Sequence, residues 1–474
     1  MTERFTAQQR LVVAIAVLGS FVSFLDGTIV NVALPAIDRE LGGGLATQQW
    51  VADAYLVTLG ALILLAGSVS DAFGRILVLR WGLVGFGVAS IAVALAPSAV
   101  FLIVARAVQG AAAAFLVPSS LALITSTIRG SRQARAIGVW TALTTSAMVA
   151  GPLIGGLFVD HLSWRFAFLV NVLPIAVTLW LLPRVDARDR RVPGAKIDWW
   201  SGSLCTVGLG LAVFALIEEP NAGWGSPLVW APFAAGLLLL GGFVWRQRVA
   251  ASPLLPLGLF RIRNFSAGNI ATWFVYAALS LNGFVIAIYL QQGAGLSATL
   301  AGLASLPTTI LMVALSSRFG ALSGRIGPRL FMTAGPLVMA AGSLLFLRIE
   351  PDFDYWWQVL PGMLVFGLGL SITVAPLTAA ILGSVDASRS GIASAVNNAV
   401  SRIAGLVAIA AVAAAIGGSL DLDGFHRSAV ITAVLLAAGG VAALIGIRNA
   451  PALTPGPGPG PGSGSGSGSG SGRS

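Results

Sequence analysis

Charged residues are scarce in this chain. Asp, Glu, Lys and Arg make up 10% of its 474 residues, where a soluble globular domain carries about 25%. With 56% hydrophobic residues and a mean hydropathy of +0.88, no water-soluble core can enclose so much apolar surface, so a soluble protein is excluded. The single cysteine, Cys205, excludes an intrachain disulfide. No G-x-x-x-x-G-K-[ST] run is present, which excludes a phosphate-binding loop and with it an ATP-driven pump domain. No His/Cys cluster has metal-ligand spacing, so neither a metal nor a cofactor is expected. No nucleophile–base constellation points to an enzyme. Strictly alternating ten-residue segments are also missing, which excludes an outer-membrane barrel.

What the chain has instead is a series of apolar runs of about 20 residues, the length that crosses a bilayer as a helix. They predict an all-α polytopic membrane protein of fourteen spans, near 11–34, 49–68, 77–96, 99–122, 134–157, 165–183, 199–218, 229–248, 265–290, 297–317, 328–347, 356–377, 392–416 and 428–448. The first run lacks a small-residue cleavage pattern after it and is read as a retained span. A formal charge of +10 would suggest nucleic acid for a soluble protein. Here the arginines gather in short loops on one side of the spans, which indicates orientation instead. With the N-terminus in the cytoplasm, Arg39, Arg165, Arg348 and Arg427 alone fall outside, where Asp38, Glu40, Asp160, Glu350, Asp352 and Asp354 collect. Shifting the frame by one span destroys this asymmetry. The expectation is a multi-pass protein of the inner (cytoplasmic) membrane, both termini cytoplasmic, monomeric, in contact with lipid and not with nucleic acid.

The stretch "GSVSDAFGR" from Gly67 returns as "GALSGRIGP" from Gly320, an offset of 253 that also maps span 1 onto span 9 and span 4 onto span 12. Parallel repeats of this kind build one large transporter architecture. The expected organisation is a six-helix half at 1–183, a linker with two inserted helices at 184–248, a second six-helix half at 249–450, and a disordered Pro/Gly/Ser tail at 451–474.

Several motifs stand in order: Leu25-Asp26-Gly27-Thr28 through Asn31 to Pro35 in span 1; Gly67 through Arg75, with Asp71 and Gly74, after span 2; Arg106-Ala107-Val108-Gln109-Gly110 in span 4; Gly151-Pro152 with Gly155-Gly156 in span 5; and Trp164-Arg165-Phe166 with Asn171 and Pro174. In this order they resemble the major facilitator superfamily, specifically its fourteen-span drug:proton antiporter branch. There are departures: Ala147 stands where a glycine is usual, and Gly324 occupies the second-half position matching Asp71. The resemblance implies a proton-coupled exporter of hydrophobic or cationic drugs and antibiotics, working by alternating access and driven by the proton gradient. A dedicated exporter of one endogenous metabolite or lipid is the near alternative. A membrane receptor or scaffold that transports nothing is the distant one.

Asp26, Asp53, Arg106 and Arg402 lie inside predicted spans, where a charge costs about 2.5–3.5 kcal/mol on insertion scales and is functional by default. Asp26 lies roughly 12 Å and Arg106 roughly 10 Å below the outer ends of spans 1 and 4, so the two can meet. Asp53 lies about one turn into span 2, within reach of interfacial water. The expected proton-coupling set is Asp26, Arg106 and Asp53. A static Asp26–Arg106 pair that orders the bundle is the plain structural reading of the same residues. Candidate substrate contacts are Asp26, Asp53, Asn31, Trp140, Trp273, Asn282, Asn397, Asn398 and Arg402. Gly67, Asp71, Gly74 and Arg75 are read as a conformational latch. In the span 5 motif, Pro152 removes one helix hydrogen bond while Gly151, Gly155 and Gly156 permit close packing.

Overall fold

A computed structural model describes residues 5–186, 191, 197–251, 253–386, 389–418 and 420–449. The expected tail at 451–474 lies outside the described residues, as does most of the linker before span 7. Among the described residues, fourteen helices are long and apolar enough to cross a membrane: spans 1 to 6 at Ala7–Leu41, Gly44–Phe73, Arg75–Ala94, Ala99–Thr127, Arg135–His161 and Trp164–Arg184; spans 7 and 8 at Trp199–Ala222 and Pro227–Val249; spans 9 to 14 at Arg263–Gln292, Ala298–Ile326, Pro328–Arg348, Tyr355–Leu382, Ser390–Ala410 and Leu422–Gly446. The fold is all-helical. Span 1 begins and span 14 ends at one face of the bundle, called here the terminal end; the opposite face is the distal end.

Local chemistry sets where these helices begin and end. Span 1 opens on a capping box in which Thr6 Oγ1 accepts from the Gln9 amide and Gln9 Oε1 accepts from the Thr6 amide. At 35 residues it is about 52 Å long, far beyond a hydrocarbon core of about 30 Å. Span 6 is interrupted: helices Trp164–Leu169 and Val172–Leu181 meet at Asn171. Pro174 has no N–H for the carbonyl four residues earlier, so the helix loosens there, and Asn171, fully buried, turns toward span 1. The internal repeat persists in backbone geometry. Gly74 turns from span 2 into span 3 at φ +101°, and Gly327, offset by 253, turns from span 10 into span 11 at φ +100°. Only glycine adopts this conformation without strain.

The two six-span halves meet at the distal end. Gln49 on span 2 donates to the carbonyls of Ile409 and Ala410 on span 13 at 2.7 and 2.9 Å. Gln291 on span 9 donates to Val32 O at 3.1 Å. Asp160 at the end of span 5 accepts from the amides of Ala298 and Thr299, which open span 10, at 3.0 and 2.7 Å. Apolar side chains of both halves, including Leu34, Ile37, Phe284 and Ile288, fill the space between these bonds. Toward the terminal end the halves part. Span 5 touches span 10 closely at Gly156 and Pro152, the latter against Gly302. Three turns onward along the same faces, Thr141 is exposed and Val313 is 52% exposed. Spans 7 and 8 form a hairpin with Gly208 and Gly236 at its tight crossing. They cover spans 2 and 13 from the side through Cys205, Leu209 and Val213.

Candidate functional site

Within the first half, a fully buried ion pair joins spans 1 and 4. Arg106 Nη1 donates to Asp26 Oδ2 at 2.6 Å, with the side chains 1% and 0% exposed. The rest of each group's hydrogen-bonding capacity is met nearby. Arg106 donates to Gln109 Oε1 at 2.7 Å and to Val51 O at 3.0 Å. Asp26 Oδ1 accepts from Gln109 Nε2 at 3.1 Å and from Asn171 Nδ2 at 3.2 Å. Gln109 also donates to Ser90 Oγ at 2.9 Å. The guanidinium lies 4.4 Å from the Tyr55 ring centre and 5.5 Å from that of Phe168, a cation–π cradle. Five of the half's six spans contribute to the network. The sequence placed Asp26 and Arg106 together, and the structure brings them together. Gln109 and Asn171 were not recognised as partners. The first follows from its i+3 position on the helix of Arg106; the second depends on the break in span 6.

Asp53 sits deeper than the sequence reading placed it. Span 2 starts earlier than its apolar run, so Asp53 is about 14 Å along the helix. It is 0% exposed, and neither carboxyl oxygen has a hydrogen-bond partner. It lies one turn from Gln49 on the face turned to span 13, between the two halves. The sequence reading placed it within reach of interfacial water; here it is enclosed.

The remaining candidates separate into several groups. Asn31 and Asn282 are partly buried; Asn31 comes within 3.8 Å of the space beside Gly283, linking spans 1 and 9 near the closed end. Arg402 is partly exposed on span 13 opposite Gly60. Trp140 donates to Ser20 Oγ at 3.1 Å and ties span 5 to span 1. Trp273 does not join these residues. It borders a cavity of about 220 Å³ walled by Ala277, Ala404, Ala408, Ile431 and others, wholly inside the second half. Asn397 spends its amide on Asn269 and Thr272 of span 9, at 3.2 and 2.8 Å, and Asn398 on Ser394 O of its own helix. Of the expected substrate contacts, Trp273 and Asn397 are thus turned toward neighbours within the second half.

The latch motif is not closed. Asp71 is exposed and makes no hydrogen bond, while Arg75 donates to Ala122 O of span 4 at 3.2 Å. The span 5 glycines, by contrast, are closely engaged. A side chain at Gly151 would collide with Thr28 and one at Gly155 with Ile29, both on span 1, whereas one at Gly156 would meet Thr299 of the other half at 2.5 Å. One glycine motif thus packs span 5 within its half and across to span 10.

Two helical halves around a cleft closed at one end, with a buried ion pair in one of them, are the architecture of a membrane transporter. The model of the Major Facilitator Superfamily matches residues 16–409, and the chain belongs to that family, whose members are transporters and not enzymes. It is 34% identical to the methylenomycin A resistance protein of Bacillus subtilis (strain 168), covering 84% of this chain and 86% of that one. It is 36% identical to the puromycin resistance protein pur8 of Streptomyces alboniger, over 81% and 77%. The tetracenomycin C resistance and export protein of Streptomyces glaucescens is 33% identical over 83% and 73%. Among solved structures, a D-xylose-proton symporter superposes with a TM-score of 0.67 at 13% identity, covering 93% of this chain and 98% of that one. This likeness concerns the fold alone. The chain is therefore a multi-pass protein related to drug- and antibiotic-resistance exporters.

Proposed function

We propose that the protein is a proton-coupled exporter that moves small hydrophobic organic compounds, drugs and antibiotics among them, out across the cytoplasmic membrane. The observation that carries this reading is the enclosed Asp26–Arg106 pair with Gln109 and Asn171 around it. A carboxylate so placed changes its hold on Arg106 when it takes up a proton, and spans 1, 4 and 6 all feel the change. The arginine asymmetry puts the terminal end in the cytoplasm, so the cleft is open inward and the distal contacts form the outer seal. In this cycle the ion-paired state seen here is the one that has given its proton to the cytoplasm and accepts substrate. Asp53, enclosed between the halves without a partner, is too costly to keep in that condition through every state. It is the second proton site, gaining a partner or water when spans 2 and 13 separate. The proton gradient supplies the energy, and no cofactor is required.

The named export of tetracenomycin C by a relative favours a second reading, a dedicated exporter of one product. Both are tested in inverted membrane vesicles with an imposed pH gradient and a panel of antibiotics. Uptake that collapses with a protonophore and is lost in Asp26→Asn supports proton-coupled export; a response to one compound selects the dedicated exporter. Undiminished proton-driven accumulation by Asp26→Asn rejects the coupling role.

A further inference from the structure

The cleft does not present the charge expected for a cationic ligand. Asp26 is enclosed and already holds Arg106, Gln109 and Asn171, and Asp53 is enclosed as well. Among the described residues, no other carboxylate lies in the middle of a span. Arg402 is the opposite case. It stands about 18 Å inside span 13, is partly exposed, and has neither a hydrogen bond nor an ion pair. Gly60 of span 2 faces it, with only 3.4 Å between its Cβ and a methyl built on that glycine. Arg402 therefore stands between the halves, where the cleft runs, as its accessible mid-span charge.

An unpaired guanidinium at this depth is costly, and its fork of N–H donors matches the paired oxygens of an acidic group such as a carboxylate or phosphate. We propose that the cleft takes an amphipathic organic anion whose acidic group is received by Arg402. The apolar body of the ligand extends toward the closed end, where Asn31 and Asn282 add neutral polar contacts. This rests on the exporter reading for the position of the site and narrows its hydrophobic substrates to anionic ones, in place of the cationic drugs that the sequence resemblance implied. The competing use of Arg402 is as a partner for Asp53, which lies about 10 Å farther along span 2 from Gly60 and could be met when the halves rock.

Binding of three probes with one body and different charge decides the matter: 2-naphthoate, 2-naphthamide and 2-naphthylmethylammonium, titrated onto the purified full-length protein in detergent. The expected result is a naphthoate Kd at least tenfold below that of the amide. Arg402→Gln should raise it to the amide value without moving the amide, and Arg402→Lys should fall between. The proposal is overturned if the wild type binds the amide or the ammonium as well as naphthoate, a comparison that stands even if Arg402→Gln fails to fold. It is overturned equally if Arg402→Gln retains naphthoate affinity, or if Arg402→Gln and Asp53→Asn weaken all three probes alike, the mark of a structural pair. Naphthoate that binds but is never accumulated under a pH gradient counts against the exporter reading and leaves the Arg402 site standing.

Discussion

Replacing Arg106 by Met should destabilise the protein more than replacing Arg106 and Asp26 together. Met keeps the apolar length of the side chain but removes the donors to Asp26, Gln109 and Val51. Asp26, at zero exposure, is then left with the Gln109 and Asn171 amides alone. Breaking a buried pair from one side costs about 3–5 kcal/mol, because a charge stays behind without its counter-ion. Adding Asp26→Asn removes that charge. What remains is the unmet acceptor on Gln109, worth about 1–3 kcal/mol, since Val51 O belongs to a helix and keeps its intrahelical bond. The double variant should thus recover about 2 kcal/mol relative to Arg106→Met. Asp26→Asn alone, which strands the guanidinium, should also rank below the double. The assay is the thermal unfolding midpoint of the four proteins in one detergent, scanned at one rate because unfolding of such a protein is kinetically controlled. If the double variant unfolds at or below the midpoint of Arg106→Met, the two groups do not act as a charge pair and the reasoning fails.

Three further outcomes follow from the contacts between and beside the halves. Gly156→Ala puts a methyl 2.5 Å from Thr299 Cα, so the distal ends should no longer close; initial transport rates should fall at least tenfold while the unfolding midpoint changes little, and a normal rate would show that this contact is not part of the seal. Asp160→Asn leaves one acceptor where the carboxylate offers two to the amides of Ala298 and Thr299, a loss of about 1 kcal/mol that shifts the population about fivefold toward the state open at the distal end; in a Cys205→Ser background, a cysteine replacing Thr141 should then label more slowly from the terminal side, and an unchanged rate counts against the clasp. Asp198 and Arg246 join the entry of span 7 to the exit of span 8 through contacts of 2.9–3.0 Å. Burial pushes the Asp198 carboxyl up, but hydrogen bonds from Arg246 and Ser201 outweigh it and hold the group below its ordinary 3.8. The pair's contribution is therefore present above about pH 4 and disappears as pH falls through the lowered value. Because Arg246 is 36% exposed, it amounts to only about 0.5 kcal/mol, and Arg246→Ala should cost that much at pH 7 and progressively less as the pH falls below about 4.

What the sequence reveals about this protein and what it conceals have separate physical causes. A bilayer forces each crossing to be a long apolar helix, so the number of spans and their order are written in hydropathy. Depth follows from the same constraint, which is why Asp26 and Arg106 could be paired in advance. The ends are harder to read, because a hydropathy window sees only the lipid-facing core. Spans 1 and 2 run on through Pro35 to Leu41 and back to Gly44, and that extension carries Asp53 from the interface to full burial. Rotation is harder still, since a helix that is apolar on every side has no period to show which face is inward. Trp273 and Asn397 were therefore expected as substrate contacts without a facing direction and lie against neighbours of their own half, whereas Gly156 revealed itself as small but not as the neighbour of Thr299. Arg402 stands apart from these cases. Its cost was plain from its place in an apolar run, and the fold, which satisfies Asp26, Arg106 and Gln109 so fully, leaves that cost unmet. A group whose expense the protein does not recover from its own contacts is where an outside partner has most to contribute.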